Sequence, residues 1–373
     1  RINTPSVGLY VDNIPYIDKS AFDFNYSDIE RIDVLRGPQG TLYGRNAMGG
    51  LIKVHTKSPF SYQGTDFRIG AGTHNQYNTS VTHYHRMNER FAFSAGGFYE
   101  YEGGFFRNAA LNNKKVDKGQ SAGGRIRAIY LPSDNWKFDF NVSYEYGDQG
   151  GYPYGLYNKE TGDVAKTAYN DESSYYRNLL NAGLNVEYQA QNFTLSAVTG
   201  YQHLKDRMFL DQDFTAKNTY TLEQKQRINT ISEEIVMKSK ESHRWQWATG
   251  IFGFYQWLNT TAPVTFKEDG MAMMDQMLGN FIPALVEVPM GPGRNMNIMP
   301  ALKVTSARLP INGDFKTPLL NGALFHQSTF RDLFGIDGVS FTAGLRLDYE
   351  KMKMDYNSGT AMDYTIGITG QMM

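Results

Sequence analysis

The chain of 373 residues sets 37 Lys and Arg against 38 Asp and Glu, a formal net charge of -1. It lacks the basic surplus that phosphate-dominated binding demands, so no nucleic-acid partner is expected. No run approaches the roughly 18–20 consecutive apolar residues of a membrane-spanning helix, and the absence of cysteine excludes disulfides and thiolate metal sites. With 37 Gly, 25 Tyr and 23 Phe, the composition favours turn-rich antiparallel sheet.

Residues 1–60 read as a compact, glycine-punctuated, mixed α/β segment. Gly8 to Val11 predicts a strand, Ser27 to Glu30 a short helix start capped by Ser27 or Asp28, and Ile32 to Leu35 and Leu51 to His55 two further strands. Between the last two, Arg36 to Gly50 holds five glycines in fifteen residues, which implies tight turns and close backbone approach. A phosphate-cradling loop would need a Gly-Lys-Ser/Thr ending and a following helix, and neither is present. The start at Arg1-Ile2, with no Met and no apolar leader, reads as a piece of a longer precursor.

From about residue 65 the pattern changes to period 2, which places successive side chains on opposite faces of a strand. Trp136, Phe138, Phe140, Val142, Tyr144 and Tyr146 alternate with Lys137, Asp139, Asn141, Ser143 and Glu145. Phe341 to Tyr349 repeats the alternation, and Phe193 to Tyr201 keeps it more loosely. Strands are expected at about 65–73, 76–87, 90–101, 121–131, 135–147, 181–190, 192–206, 219–239, 244–260, 317–331 and 338–356. A soluble sandwich would turn the apolar face inward and fill it with Leu, Ile and Val. Here aromatic residues gather at strand ends, as with Tyr99 and Tyr101, or Trp245 and Trp247 against Trp257, which suits the interface girdles of an outer-membrane barrel.

The connections carry an independent signal. After the first hairpin, short links alternate with long ones at roughly 102–120, 148–180, 207–218 and 261–316, the asymmetry of periplasmic turns and extracellular loops. About 11 strands is an odd number, and Thr365 to Met373 trails off without a finished strand pattern. Since single-chain bacterial barrels close on an even set, the chain reads as truncated at both ends.

The runs SVGLYVDNIPY and DIERIDVLRGPQGTLYGRNAMGGLIKVHTKSP closely resemble the C-terminal half of the plug domain of TonB-dependent outer-membrane receptors. The remainder of the chain looks like the first half of their barrel of about 22 strands. The likeness is dense over residues 1–60 and architectural over 61–373. It implies a mainly β fold, a transmembrane antiparallel β-barrel with a small α/β plug segment in its lumen, in a bacterial outer membrane. It also implies a ligand pocket shared by plug apices and outer loops, and import driven by TonB with its inner-membrane energy-transducing complex through an N-terminal part that this sequence lacks. Outer-membrane lipid is the surrounding partner. A surface lipoprotein would be needed if the cargo were a sugar.

On that resemblance Glu30, Arg31, Arg36 and Arg45 are expected to contact the barrel wall, with Arg125, Arg127, Glu145, Glu187 and Arg346 as lumen-facing partners. Ordinary surface charge is the alternative for the first group. The aromatic loop holding Tyr16, Phe22, Phe24 and Tyr26 is placed at the plug apex, where rings could stack on a large planar ligand. Packing beneath the plug is the competing role.

Met271, Met273, Met274, Met277, Met290, Met296 and Met299 fall in the longest loop. Thioethers bind soft Cu(I), but such a run more often supplies adaptable apolar packing or a short helix at a ligand mouth. His83 and His85, two apart on one strand, with His74, read as a hydrated lumen or rim rather than a metal site. Glu233 and Glu234 point to opposite faces, wrong for an acid/base pair. No metal, cofactor or catalytic group is expected, and the chain is not read as an enzyme. The expected function is TonB-dependent import of a scarce nutrient, first a ferric siderophore. Cobalamin, haem or oligosaccharide import, a passive porin and a surface adhesin are the alternatives.

Overall fold

The computed structural model describes residues 5–22, 27–37, 48–280, 286–291 and 294–372. Two main sheets organise them, with a three-stranded and a two-stranded one beside them. The first is small and belongs to the plug segment: β1 (Val7–Val11), β2 (Ile14–Tyr16), β3 (Ile29–Arg36) and β4 (Gly50–Thr56), in the order β2-β1-β4-β3. β1 and β4 are parallel, and the β1–β2 hairpin turns at Asp12 and Asn13, both at positive φ (48° and 67°). Asp and Asn tolerate that conformation better than most residues, which suits them to a two-residue hairpin turn. A single 3-10 turn, Lys19–Ala21, is capped by Asp18 through its side chain, 2.8 Å from the Ser20 N–H.

The helix expected from Ser27 is absent. Ile29 begins β3, because β-branched Ile29, Ile32 and Val34 zip onto β4, and long-range pairing outweighs a local capping preference.

The second sheet is an antiparallel meander. Its strands are β5 (Gly64–Gly72), β6 (Gln76–Arg86), β7 (Phe91–Glu102), then, past the small hairpin β8 (Arg107–Asn108) and β9 (Lys114–Lys115), β10 (Gly119–Ser133), β11 (Trp136–Gly150), β12 (Ser174–Gln189), β13 (Phe193–Asp211), β14 (Tyr220–Ser239) and β15 (Trp245–Thr261). Short β16 (Val264–Phe266) and helix α1 (Glu268–Asn280) come next, then β17 (Val286–Gly291), β18 (Arg294–Val304), β19 (Leu309–Lys316), β20 (Leu319–Phe330), β21 (Phe341–Met352), β22 (Asp355–Gly359) and β23 (Tyr364–Met372). β20 and β21 complete the meander. Its eleven long strands each pair with their neighbours in that sequence, and each overlaps one of the expected segments.

The 261–316 region is more ordered than its sequence suggested. β16 and β19 prolong β15 and β20 beyond Ala262-Pro263 and Thr317-Pro318, where proline withholds a ladder donor and kinks the strand. β18 pairs with both β17 and β23, so Tyr364–Met372 is a strand rather than a tail. Met271 is buried in α1, whereas Met273 and Met277 are exposed.

The two faces of the meander are inverted relative to a soluble protein. On β11, Trp136, Phe140 and Tyr144 are exposed while Asp139, Asn141 and Glu145 are buried. Trp247 to Tyr255 on β15, like Trp136 to Tyr144 on β11, spans eight residues, about 26 Å of strand, close to the height of an apolar barrel band. Near the short turns Trp136 packs on Tyr188 (4.7 Å between ring centroids) and Trp245 stacks on Phe330 (6.1 Å). Near the long loops Tyr77 stacks on Tyr101 (6.3 Å) and Tyr255 meets Trp257 edge-on (4.5 Å). Exposed Ile126, Phe140, Ile231, Ile251 and Leu324 lie between these two girdles.

Candidate ligand chamber and plug–wall interface

The main buried cluster joins the two sheets. Leu9, Val11, Tyr16, Ala21 and Val54 of the plug pack against Leu179, Leu204 and Ile228 of the wall. The β1–β2 hairpin is the point of closest approach. A Cβ on Gly183 would lie 2.1 Å from the Ile14 Cδ1, and one on Gly200 would lie 3.3 Å from its Cγ2. Glycine at 183 is thus what lets Ile14 seat against β12 and β13.

Charge completes the joint. Arg125 Nη1 donates to both carboxylate oxygens of Asp28 at 2.9 Å, and both side chains are largely buried. Arg127 forms a two-pronged pair with Asp139 on the neighbouring strand (2.9 and 2.7 Å). Its Nη1 also donates to the carbonyl and hydroxyl oxygens of Thr56 (3.1 and 2.9 Å) and lies 3.6 Å from Asp12. Asp12 in turn accepts the Thr56 N–H (2.9 Å) and hydroxyl (2.7 Å). Arg177 donates to the Ser20 carbonyl (3.1 Å) and pairs with Glu145. Every one of these guanidiniums starts on the wall and reaches the plug backbone or a plug carboxylate, a partly wet arrangement in which paired charge fixes geometry.

Of the residues expected at this joint, Arg125, Arg127 and Glu145 sit at the interface, and Arg346 lies over the Phe325 ring (5.3 Å) with Nε on Asp348. Glu187 accepts from Gln189 at 2.5 Å. On the plug side Glu30, Arg31 and Arg36 are exposed on β3, and Arg31 pairs with Asp33 (3.3 Å) on its own strand. Arg45, Phe24 and Tyr26 lie outside the described residues. Tyr16 is buried, and Phe22 packs on the same cluster. Burial pushes the Tyr16 phenol above its ordinary value, against the opposing pull of Arg125 and a hydrogen bond with Ser143.

Asp12 and Asp28 are the plug carboxylates that sequence reasoning passed over. Asp-Asn between Val11 and Ile14 is a hairpin signal that would have flagged the first. His83 and His85 stack on each other (5.9 Å) on an exposed face near a short turn, while His74 packs on Phe105 (4.5 Å) at the opposite end of β6. Among the described residues no group of three His, Asp or Glu side chains could hold a metal ion.

Above the joint, toward the long loops, the plug turn Ile17–Ser20 floors a chamber of about 590 Å³. Its wall offers Gln224 and Gln226 from β14 and Gln256 and Thr260 from β15, with Leu258 and Phe315 as apolar surface. Gln226 donates to Thr260 (3.3 Å) and Gln256 to Thr230 (3.1 Å). A second cavity of about 230 Å³ lies over β7, β10, β11 and β12, lined by Glu100, Glu102, Asp117, Glu145 and Arg177. Arg177 lines this second cavity, and its hydrogen bond reaches Ser20, which lines the first.

Comparison with known proteins places these features. Residues 2–51 match the family model described as TonB-dependent Receptor Plug Domain. The pesticin receptor of Yersinia pestis is 27% identical over 143 residues, 38% of this chain and 21% of that protein. The vitamin B12 transporter BtuB of Vibrio vulnificus is 31% identical over 166 residues, 42% of this chain and 24% of the relative. The crystal structure of the ferric yersiniabactin uptake receptor FyuA from Yersinia pestis superposes with a TM-score of 0.61 at 16% identity, over 99% of this chain and 53% of that one. This chain therefore spans about half of that solved structure, and its alignments cover about a quarter or less of the curated relatives. Residues 2–51 thus match the TonB-dependent receptor plug domain, and the chain as a whole is similar to TonB-dependent outer-membrane receptors and shares the fold of one along almost its whole length.

Proposed function

We propose that the protein carrying this chain imports a ferric siderophore across the outer membrane, powered by the TonB complex of the inner membrane. The observation that carries this reading is the chamber floored by Ile17–Ser20: a plug turn closes the lumen below, and amide and apolar side chains of the wall surround the space above. A passive porin has no such floor. The solved neighbour named for uptake of ferric yersiniabactin supports the cargo, while the relative named for vitamin B12 makes corrinoid import the competing reading.

In this mechanism a chelate lands on the turn from outside. Its contacts shift Ile17–Ser20, and Arg177 on Ser20 and Asp28 on Arg125 transmit the change to the plug sheet. TonB then draws on the plug from the periplasm. No covalent step is involved. Phe24 and Tyr26, in the segment that continues this turn, are the proposed aromatic ligand contacts, and Arg36 and Arg45 the proposed further plug contacts to the wall.

Radioiron uptake in cells that depend on this receptor tests the reading. Uptake is expected to require the proton gradient while surface binding survives its collapse, and Tyr26→Ala is expected to weaken binding. Uptake of vitamin B12 with no response to any iron chelate would transfer the function to corrinoid import.

A further inference from the structure

The outward face of the wall carries a charge cluster that neither the chamber nor the plug joint uses. At the long-loop end of β13 and β14, Lys205 stands opposite Arg227 and Arg207 opposite Lys225. All four share a face with Tyr201 and Ile231, which are exposed, so they point away from the plug. Like charges set directly opposite each other destabilise a sheet, and here two such pairs are successive on the same face.

The fold compensates only part of this. Glu223 takes both Arg207 Nε and Lys225 Nζ (3.0 Å), and the Arg207 guanidinium lies over the Tyr176 ring (6.0 Å). Lys205 and Arg227 are exposed and form no ion pair among the described residues. The flanking strands bring uncharged side chains: Tyr176 and Asn178 of β12 beside Arg207 and Lys205, and Asn259 and Thr261 of β15 beside Arg227 and Lys225. Farther out, Asp314 accepts from Thr261 (2.8 Å) next to exposed Lys316, and Asp148 lies past Tyr176. Glu233, on the same face, accepts from Thr199 (2.6 Å) and lies six residues below Arg227, about 20 Å down the strand.

Four cationic side chains thus crowd one carboxylate, and they do so at a set height. Tyr201 lies four residues below Lys205, and Trp257 stands opposite Asn229, two residues below Arg227. The patch is therefore about 7–13 Å above the girdle near the long loops, where headgroups begin. Below it the same face exposes Ile231, Ile235 and Ile251.

A lipid with phosphates on its headgroup and acyl chains beneath matches both parts of this surface. Arg offers a phosphate two parallel hydrogen bonds, and Lys offers it a point charge. A phosphate seated between Lys205 and Arg227 would also relieve the repulsion that the sheet otherwise carries.

We propose that Lys205, Arg207, Lys225 and Arg227 bind the phosphates of an outer-leaflet glycolipid of the lipid A type, with Ile231, Ile235 and Ile251 along its acyl chains. This rests on the outer-membrane setting of the reading above and not on its cargo.

The test uses the full receptor folded in detergent and titrated with diphosphoryl lipid A, its monophosphoryl form and phosphatidylglycerol. Native mass spectrometry counts the bound lipid, and heat-modifiable mobility on gels gives the melting temperature. The diphosphoryl lipid is expected to bind about tenfold tighter than either of the others and to raise the melting temperature. K205Q with R227Q should cut that affinity about tenfold, whereas K159Q with K166Q, at two exposed lysines of the loop 151–173, should leave it unchanged. Without lipid, the receptor carrying K205Q and R227Q should melt no lower than the parent, because the change removes repulsion. A lower melting temperature there would show a structural role for the pair and overturn the site. Undiminished lipid binding by that variant would overturn it too, as would equal binding of phosphatidylglycerol, which reduces the patch to unspecific charge. Each of these results leaves import standing. A receptor that stays folded and monodisperse in water without detergent would overturn the membrane setting together with the site.

Discussion

Nη1 of Arg125 stands 2.9 Å from each carboxylate oxygen of Asp28, so one bond pair ties wall strand β10 to the foot of plug strand β3. Both side chains are largely buried, at 15% and 12% exposure. Removing one partner strands the other charge in a poorly solvated place, which costs about 3–5 kcal/mol for a buried pair. Asp28→Ala is expected to loosen the plug by an amount in that range, whereas Asp28→Ala combined with Arg125→Met should recover most of it. Sensitivity of the cells to a large antibiotic that passes only through a displaced plug measures the effect. Equal sensitivity of the single and double variants would mean that the pair does not hold the joint.

The seat of Ile14 gives a steric counterpart. Any Cβ on Gly183 intrudes on the Ile14 side chain, so Gly183→Val should destabilise plug docking by about 1–3 kcal/mol, the usual cost of overpacking. Ile14→Ala, added to Gly183→Val, should restore docking by vacating the contested space. Hydrogen-exchange protection of β1 and β2 reports it, and failure of the second change to rescue would place the strain elsewhere.

The wall strands were legible because lipid on one side and a wet lumen on the other force a strict alternation. Asp139, Asn141 and Glu145 between aromatic residues could take no other arrangement. The same logic exposed Arg125 and Arg127 as inward groups. Their plug partners were hidden, because Asp12 and Asp28 occupy positions where turns and helix caps commonly place aspartate for local reasons. The region from Pro263 to Leu309 was opaque for a different cause. Besides its hairpin with β17, β18 pairs with β23, some sixty residues further on, and a pairing at that distance leaves no local period to read. In the plug, it is the resemblance of its motif that points Arg31 at the wall, and its described partner is Asp33 on its own strand.

That Asp33 has its own pH signature. Loss of hydration raises its carboxyl, but the Arg31 hydrogen bond and charge, with those of His55 (2.9 Å), outweigh it and hold the pKa below the ordinary 3.8. A depressed carboxylate stabilises the fold above its unfolded value and loses that contribution as pH falls through the folded one. Pairing of β3 with β4 is therefore expected to weaken only below about pH 4. Asp33→Asn should flatten that acid dependence while leaving neutral-pH protection little changed, because the site is open to water and screened. Amide exchange of β3 between pH 3 and pH 6 checks it, and an unchanged slope in the variant would assign the acid response to another group.

Phe140 tests which face of the meander meets lipid. It lies midway between Trp136 and Tyr144 on β11 and is 44% exposed, while its neighbours Asp139 and Asn141 are buried against the plug side. In a soluble sheet an exposed Phe140→Arg change would be benign. Facing the middle of a bilayer, the same change should cost about 2–4 kcal/mol and lower the amount of folded receptor reaching the outer membrane, with Phe140→Leu close to neutral. The matched change at Trp136, in the girdle near the short turns, should cost less, since a guanidinium there can reach the headgroups. Heat-modifiable mobility of the folded barrel on gels gives the yield for each variant. A gradient from Phe140 to Trp136 would fix both the lipid face and the depth of the strand, whereas equal tolerance at the two positions would turn that face toward water.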